Sequence, residues 1–228
     1  MNEKIKVLMI SGKKLAGKDT ICDWCIRNSK ELFPLKTRWT EIKVKGPWVV
    51  KKYGMADSLK SAVSDLFDFP YEWTQTQEGK EKSLPHILWR NLPHYQELLY
   101  KINLNECLKV RELLQEFGTG ICRRMFDLIW VNKTFRKIEE DKPDLALIND
   151  VRYINEIYGG KNRPNLDVKV IRLTRNVNDM SLTVNQHTSE TALDDYKEFD
   201  AVIDNRNLSI EQTNQECVKL LKEWRWVK

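Results

Sequence analysis

Apolar residues gather in five short runs: Ile5 to Ile10, Trp48 to Met55, Leu145 to Ile148, Val168 to Leu173 and Ala201 to Ile203. Each is shorter than a stable helix needs and suits a pleated, buried surface, so each predicts a strand. The run Leu145-Ala146-Leu147-Ile148 has no polar member, the mark of a strand covered on both faces. Between the runs the apolar spacing changes to three and four. Leu59, Ala62, Val63 and Leu66 form one face of a helix that starts at Asp57 or Ser58 and ends before Pro70. Val110, Leu113, Leu114 and Phe117 form another, which Gly118-Thr119-Gly120 is expected to stop; a further helix is expected through Met125 to about Lys137. The last helix opens on a capping box of Ser209 and Gln212 and buries Cys217, Leu220, Leu221 and Trp224. Strands alternating with helices predict an α/β fold, a five-stranded, mostly parallel sheet with helices on both faces.

The first run ends in Gly12-Lys13-Lys14-Leu15-Ala16-Gly17-Lys18-Asp19-Thr20, where a strand should turn into a helix reaching about Ser29. In such a loop the glycines let backbone N–H groups converge on phosphates, the lysine reaches the terminal phosphates, and the helix presents its positive dipole end. The general motif places a hydroxyl directly after the lysine. Here Asp19 intervenes and the hydroxyl arrives at Thr20. The chemistry survives if Asp19 holds Mg²⁺ directly or through water while Thr20 donates to a phosphate oxygen. Ligands of parallel α/β folds collect at the C-terminal ends of the strands, where Ala56 to Lys60, Asp150 to Arg152 and Arg175 also fall.

At 228 residues the chain suits one sizeable core, or a core carrying a large insertion. No stretch approaches the roughly 18 apolar residues of a membrane span, and the first run is too short for a signal peptide, so a cytoplasmic protein is expected. The net charge of +5 fits a solvated lysine surface, and the eight tryptophans are scattered rather than interleaved with basic runs, which argues against nucleic acid as partner. Five cysteines, an odd number, argue against a disulfide framework. Cys22 and Cys25 share a helix face without a second pair, so packing is expected rather than zinc or redox chemistry. From Pro70 to about Asn105 the pattern is irregular, an insertion or a mobile cap, with His86 and His94 in surface or packing roles.

These residues together resemble the phage and large-virus deoxynucleoside monophosphate kinases over nearly the whole chain. The matching pieces are Ser11 to Lys14 with Gly17-Lys18-Asp19-Thr20, Asp57-Ser58-Leu59-Lys60, Val110-Arg111 through Leu114-Gln115 to Gly118-Thr119, and Trp130-Val131. Further on come Asp150-Val151-Arg152 with Asn155-Glu156, His187-Thr188-Ser189-Glu190, and Phe199 to Asn205. The family often has an acid two residues before the histidine, where this chain has Asn185. Animal-type phosphomevalonate kinases are similar at the first loop, the Asp-x-Arg and the C-terminal part, but lack a good counterpart of Gln115 to Thr119.

The resemblance implies a P-loop kinase core over about 1–30, 48–56 and 140–228, a helical substrate-binding insertion over about 57–139 and a lid over about 175–190. It implies ATP held by Gly12, Lys13, Leu15, Ala16, Gly17, Lys18, Asp19, Thr20 and Arg175, with Mg²⁺ at Asp19 and Thr20. Lys18, Arg175 and Arg152 would be catalytic. The acceptor monophosphate would meet Lys14, Lys60, Arg111 and Arg152, with Asp150 and Glu156 orienting the arginines or bonding sugar and base. Ser58, Gln115, Gly118, Thr119, Ser189 and Glu190 belong to the same matched substrate segments. Two roles stay open for Trp130, stacking on the base or core packing; for Arg111, phosphate binding or pairing with a neighbouring acid; and for His187, a lid or purine contact or a packing role. The implied protein is a viral-type homodimer, in the host cytoplasm if the source is a virus, and thymine, guanine and modified cytosines all remain open as the base. Three other readings stay open: a phosphomevalonate acceptor, a P-loop module that binds nucleotide without turnover, and a basic nucleic-acid binder.

Overall fold

A computed structural model describes residues 4–33, 36–39, 43–94, 96, 103–175 and 191–227. In chain order its first elements are β1 (Ile5–Ser11), α1 (Lys18–Arg27), α2 (Ser29–Leu32), β2 (Lys36–Trp39), β3 (Lys43–Gly46), β4 (Val50–Tyr53), α3 (Asp57–Leu66) and α4 (Gln77–Lys80). Then follow β5 (Ser83–Leu88), β6 (Cys107–Lys109), α5 (Val110–Gln115), a π-helical stretch (Glu116–Arg123) and α6 (Ile129–Asp141). The chain closes with β7 (Leu145–Ile148), α7 (Ile154–Lys161), β8 (Leu166–Leu173), β9 (Ala201–Ile203) and α8 (Ile210–Glu223). Two compact units divide it, one of Met1–Met55 with Thr134–Lys228, the other Ala56–Lys133. The border after Lys133 falls within α6.

The first unit contains a five-stranded sheet in the order β4-β7-β1-β8-β9, and every pairing in it is parallel. Leu8, Ile10, Leu145, Leu147, Ile171, Leu173 and Ile203 share one core with Ile21, Cys22 and Cys25 of α1 and Cys217 and Leu221 of α8. The alternate residues Val7, Met9, Ala146, Ile148 and Val170 are just as fully buried. Successive strand side chains point to opposite faces, so the sheet is covered on both. All five sequence-predicted strands are in it. Cys22 and Cys25 pack in this core, and burial pushes the Cys22 thiol well up from its ordinary pKa. The edge strand β9 is pinned by Asp200, whose carboxylate accepts from the Val170 N–H at 2.9 Å and meets Lys161 at 2.9 Å. Burial alone would raise the pKa of Asp200; the bonds from Lys161 and Val170 outweigh it, and the net shift is downward. At the end of the chain α8 begins on the expected capping box, Ser209 Oγ accepting from the Gln212 N–H and Gln212 Oε1 from the Ser209 N–H. β2 and β3, from a stretch with no legible pattern, form an antiparallel pair.

The second unit packs Leu59, Val63, Leu84, Ile87, Trp89, Leu108, Leu113 and Trp130 into its own core. α3 starts at Asp57 as the spacing predicts. Two expectations fail here. Among its described residues the segment after Pro70 is not irregular: β5 pairs antiparallel with β6, and Leu84, Ile87, Trp89 and Leu92 are buried. The register shifts between Ser83 and Leu88, around Pro85 and His86, which broke the two-residue alternation by which a strand is read. Nor does Gly118-Thr119-Gly120 stop α5. The helix runs on as the π-helical stretch, and a Cβ at Gly118 would lie 2.5 Å from Leu59 Cδ2, so that glycine makes room rather than a turn. The next helix begins at Ile129, later than expected, after a turn closed by the bond from the Ile129 N–H to Phe126 O at 3.0 Å. Among the described residues no helix is long and apolar enough to cross a membrane.

Candidate phosphate cradle and acceptor residues

The end of β1 and the start of α1 carry the cradle. A Cβ at Gly12 would stand 3.1 Å from Leu173 O and 3.2 Å from Ala16 Cβ, so the loop folds tightly against the end of β8. Gly17 has φ 98°, a left-handed conformation that glycine adopts without the Cβ penalty. The Lys18 ammonium donates to Gly12 O at 2.8 Å and Lys13 O at 2.7 Å and so sits inside the loop's curve. No side chain caps α1, which leaves its first-turn amides and dipole to favour an anion. From the far end of the chain, Asn205 Nδ2 donates to Ala16 O at 2.9 Å. Lys14 and Leu15 are exposed.

Asp19, on the first turn, accepts from Asn149 Nδ2 and from Lys52 Nζ at 3.2 Å, and Lys52 also reaches Asp23 at 2.9 Å. Burial lowers the pKa of Lys52, but its bonds to Asp23 and Asp19 outweigh that, and the ammonium is held above its ordinary value. An exposed carboxylate at Asp19 and a hydroxyl at Thr20, both in the first turn of α1, are the kinds of oxygen Mg²⁺ takes from a protein when phosphates supply the others. Among the described residues no group of three or more His, Cys, Asp or Glu is arranged to hold a metal alone.

The other predicted residues of this unit are tied to backbone. The Arg175 N–H donates to Asn205 Oδ1 at 2.8 Å, and its guanidinium donates to Asn205 O at 3.1 Å and to Leu208 O. Asp150 accepts from the Met55 N–H at 2.8 Å. Glu156 is 2% exposed and accepts from the N–H groups of Arg152 at 2.7 Å and Tyr153 at 3.1 Å, so it positions Arg152 through its main chain. The Arg152 side chain is exposed.

In the second unit Arg111 donates to Glu81 at 2.8 Å and to Gln77 at 2.7 Å, and with Lys109 it holds the Glu81 carboxyl below its ordinary pKa. This is the pairing with a neighbouring acid weighed for it. Trp130 is 8% exposed and its indole donates to Gly118 O at 3.1 Å, a place in the core of this unit. Lys60 lies 3.6 Å from Asp57. Ser58 lines an open cleft of about 630 Å³ with Ser61, Asp65, Asp68 and Tyr71. Gln115 and Thr119 are half-buried, on the last turn of α5 and on the π-helical stretch. His187, Ser189 and Glu190, with Asn185 and the stretch after Arg175 where a lid is expected, lie outside the described residues.

Sequence reasoning passed over three residues at this edge. Asn205 belongs to a matched segment and stands just past a strand, the signal that singled out Arg175, but it is neutral. Asp194 and Lys52 carried no local signal: one lies between the matched segments His187 to Glu190 and Phe199 to Asn205, and the other lies within a strand. The sequence matches no protein-family model and no curated protein.

Proposed function

We propose that the chain is a deoxynucleoside monophosphate kinase that transfers the γ-phosphoryl group of MgATP to a dNMP of the dTMP or dGMP type, giving dNDP and ADP. The observation that carries this reading is the Gly12–Thr20 loop, closed around the Lys18 ammonium at the head of an uncapped helix. An acceptor phosphate oxygen bonds to the γ-phosphorus as the bond from that phosphorus to the β–γ bridging oxygen breaks. No protein bond is made, so the protein's contribution is alignment and charge neutralisation. Lys18 binds the β- and γ-phosphates, Lys13 and the loop amides the polyphosphate, and Arg152 and Lys14 the acceptor monophosphate. Asp19 and Thr20 would hold Mg²⁺, which neutralises charge on the phosphate oxygens when bound. Ser58, Lys60, Gln115 and Thr119 are assigned to the acceptor by the family resemblance.

A non-catalytic nucleotide-binding module is the second reading. It is favoured by one observation: Arg175 and Arg111 are both held by the protein's own carbonyls and side chains. A coupled ADP-release screen across deoxy- and ribonucleoside monophosphates, with phosphomevalonate as a further acceptor, separates the readings. ADP release that depends on dTMP or dGMP is expected. ATP binding with silence across the panel establishes the module instead. In the kinase, Arg175→Ala lowers kcat by on the order of 10³, as for arginines that act on a transferring phosphoryl group. Near-normal kcat in that variant would remove Arg175 from the catalytic set.

A further inference from the structure

One carboxylate outside the predicted set bonds to a side chain of the cradle loop. Asp194 lies in a turn closed by the bond from its N–H to Thr191 O at 2.9 Å and anchored by Leu193, 3% exposed, and Tyr196, 9% exposed. Its Oδ2 accepts from the Lys13 ammonium and its Oδ1 from Arg172 Nη2 at 2.9 Å. The other arm of Arg172, Nη1, donates to Ser11 Oγ at 2.9 Å, and the guanidinium stands 5.8 Å from the Phe199 ring centroid. Asp194 is thus tied to both ends of a short basic path, Lys13 on the loop and Arg172 beside the residue that opens it. The side chains of Lys13 and Asp194 are 27% and 39% exposed, so their pairing is open enough to exchange and dry enough to matter.

We propose that the Asp194 carboxylate is a built-in stand-in for phosphate: it holds the Lys13 ammonium and yields it when a polyphosphate enters the cradle. The idea rests on the reading of Gly12–Thr20 as a polyphosphate cradle. Asp194 is a positioning residue in this scheme, and its charge sets how tightly the cradle holds an anion. A lysine bonded to a carboxylate must break that bond to serve a phosphate, and the carboxylate left nearby repels the incoming charge. Both effects weaken binding; when the carboxylate becomes an amide the repulsion is gone and any remaining bond to Lys13 is no longer charge-assisted. Arg172 keeps an acceptor in Asp194→Asn, so the turn is retained.

Calorimetric titration with inorganic tripolyphosphate, without metal, tests this. Asp194→Asn is expected to bind about fivefold more tightly than wild type, the range of a part-exposed ion pair. In a Lys13→Gln background the same change should bring no gain, and Asp195→Asn, an exposed neighbouring acid, serves as the charge control and should leave affinity unchanged. Equal or weaker binding by Asp194→Asn, or an equal gain from Asp195→Asn, overturns the proposal while the cradle stands. A merely structural Asp194 would show as a lowered Tm with unchanged affinity. If wild type binds no tripolyphosphate, the cradle reading fails and takes the proposal with it. Should Asp194→Asn not fold, Asp194→Ser, which keeps an acceptor for Arg172, replaces it.

Discussion

The cradle in the first unit and the π-helical stretch in the second are both glycine-bearing sequences that follow apolar runs, and their glycines answer different demands. Gly17 is needed for its backbone: φ is 98°, and the nearest atom to an added Cβ is Asn205 Nδ2 at 4.0 Å, an ordinary contact. Gly118 sits in a helix and is needed for its emptiness, since an added Cβ would strike Leu59 Cδ2 at 2.5 Å. A demand on conformation cannot be met by a neighbour, whereas a demand on space can. The difference also decides what the carbonyls do. In the cradle those of Gly12 and Lys13 hold a lysine, while in the π-helical stretch that of Gly118 holds the Trp130 indole.

Substitutions test whether the two demands are in fact separate. Lys18→Met should lower kcat/KM by on the order of 10² to 10³, as loss of one pre-set electrostatic contact does. Steady-state assays of ADP release read it, and a change below threefold would detach Lys18 from the chemistry. Gly118→Ala should cost about 1–3 kcal/mol in urea titration through overpacking against Leu59, which is buried in the core of its unit. In a Leu59→Ala background the same change should turn neutral or stabilising, because alanine is favoured over glycine in a helix by about 1 kcal/mol. Gly17→Ala should cost about 1–2 kcal/mol through its left-handed backbone. No neighbouring truncation should recover that loss, and recovery by Asn205→Ala would show that Gly17 too is a matter of space.

The smallest effect contrasts the acid limbs of the two units. The folded pKa of Asp200 is below its ordinary 3.8, so its stabilisation is complete above that value and is lost as pH falls through the folded one. Asp200→Asn should flatten that part of an acid-unfolding curve. Glu81 is lowered as well, by Arg111 and Lys109, but it is exposed; its share should be smaller and disappear in high salt.

The parallel sheet was legible because strands buried on both faces are written as apolar runs, Leu145–Ile148 most plainly. The starts of α3 and α8 were legible from Asp57 and from Ser209 with Gln212, local signals that survive any tertiary context. β5 was not, because Pro85 and His86 interrupt its alternation, and the run of α5 into the π-helical stretch was not, because a helix glycine is explained only by Leu59, a residue from another element. The same holds at the cradle. Gly12, Gly17 and Lys18 announce themselves in one loop, but Asp194 meets Lys13 across 181 positions and Asn205 meets Ala16 across 189, distances at which sequence pattern is silent.

The strand that carries the cradle sits in the middle of the sheet, and its partners come late. β1 pairs with Leu145–Ile148 on one side and Leu166–Leu173 on the other, and among the described residues none before Leu145 bonds to it in the sheet. During synthesis β1 must wait for Leu145–Ile148 and Leu166–Leu173, far later in the sequence, before it can join the sheet. Closing so long a loop is entropically slow, and the waiting strand is apolar on both faces. The cradle is therefore encoded well before its sheet partners and assembled late, which makes the interval before β7 emerges a stage at which this chain needs protection from aggregation.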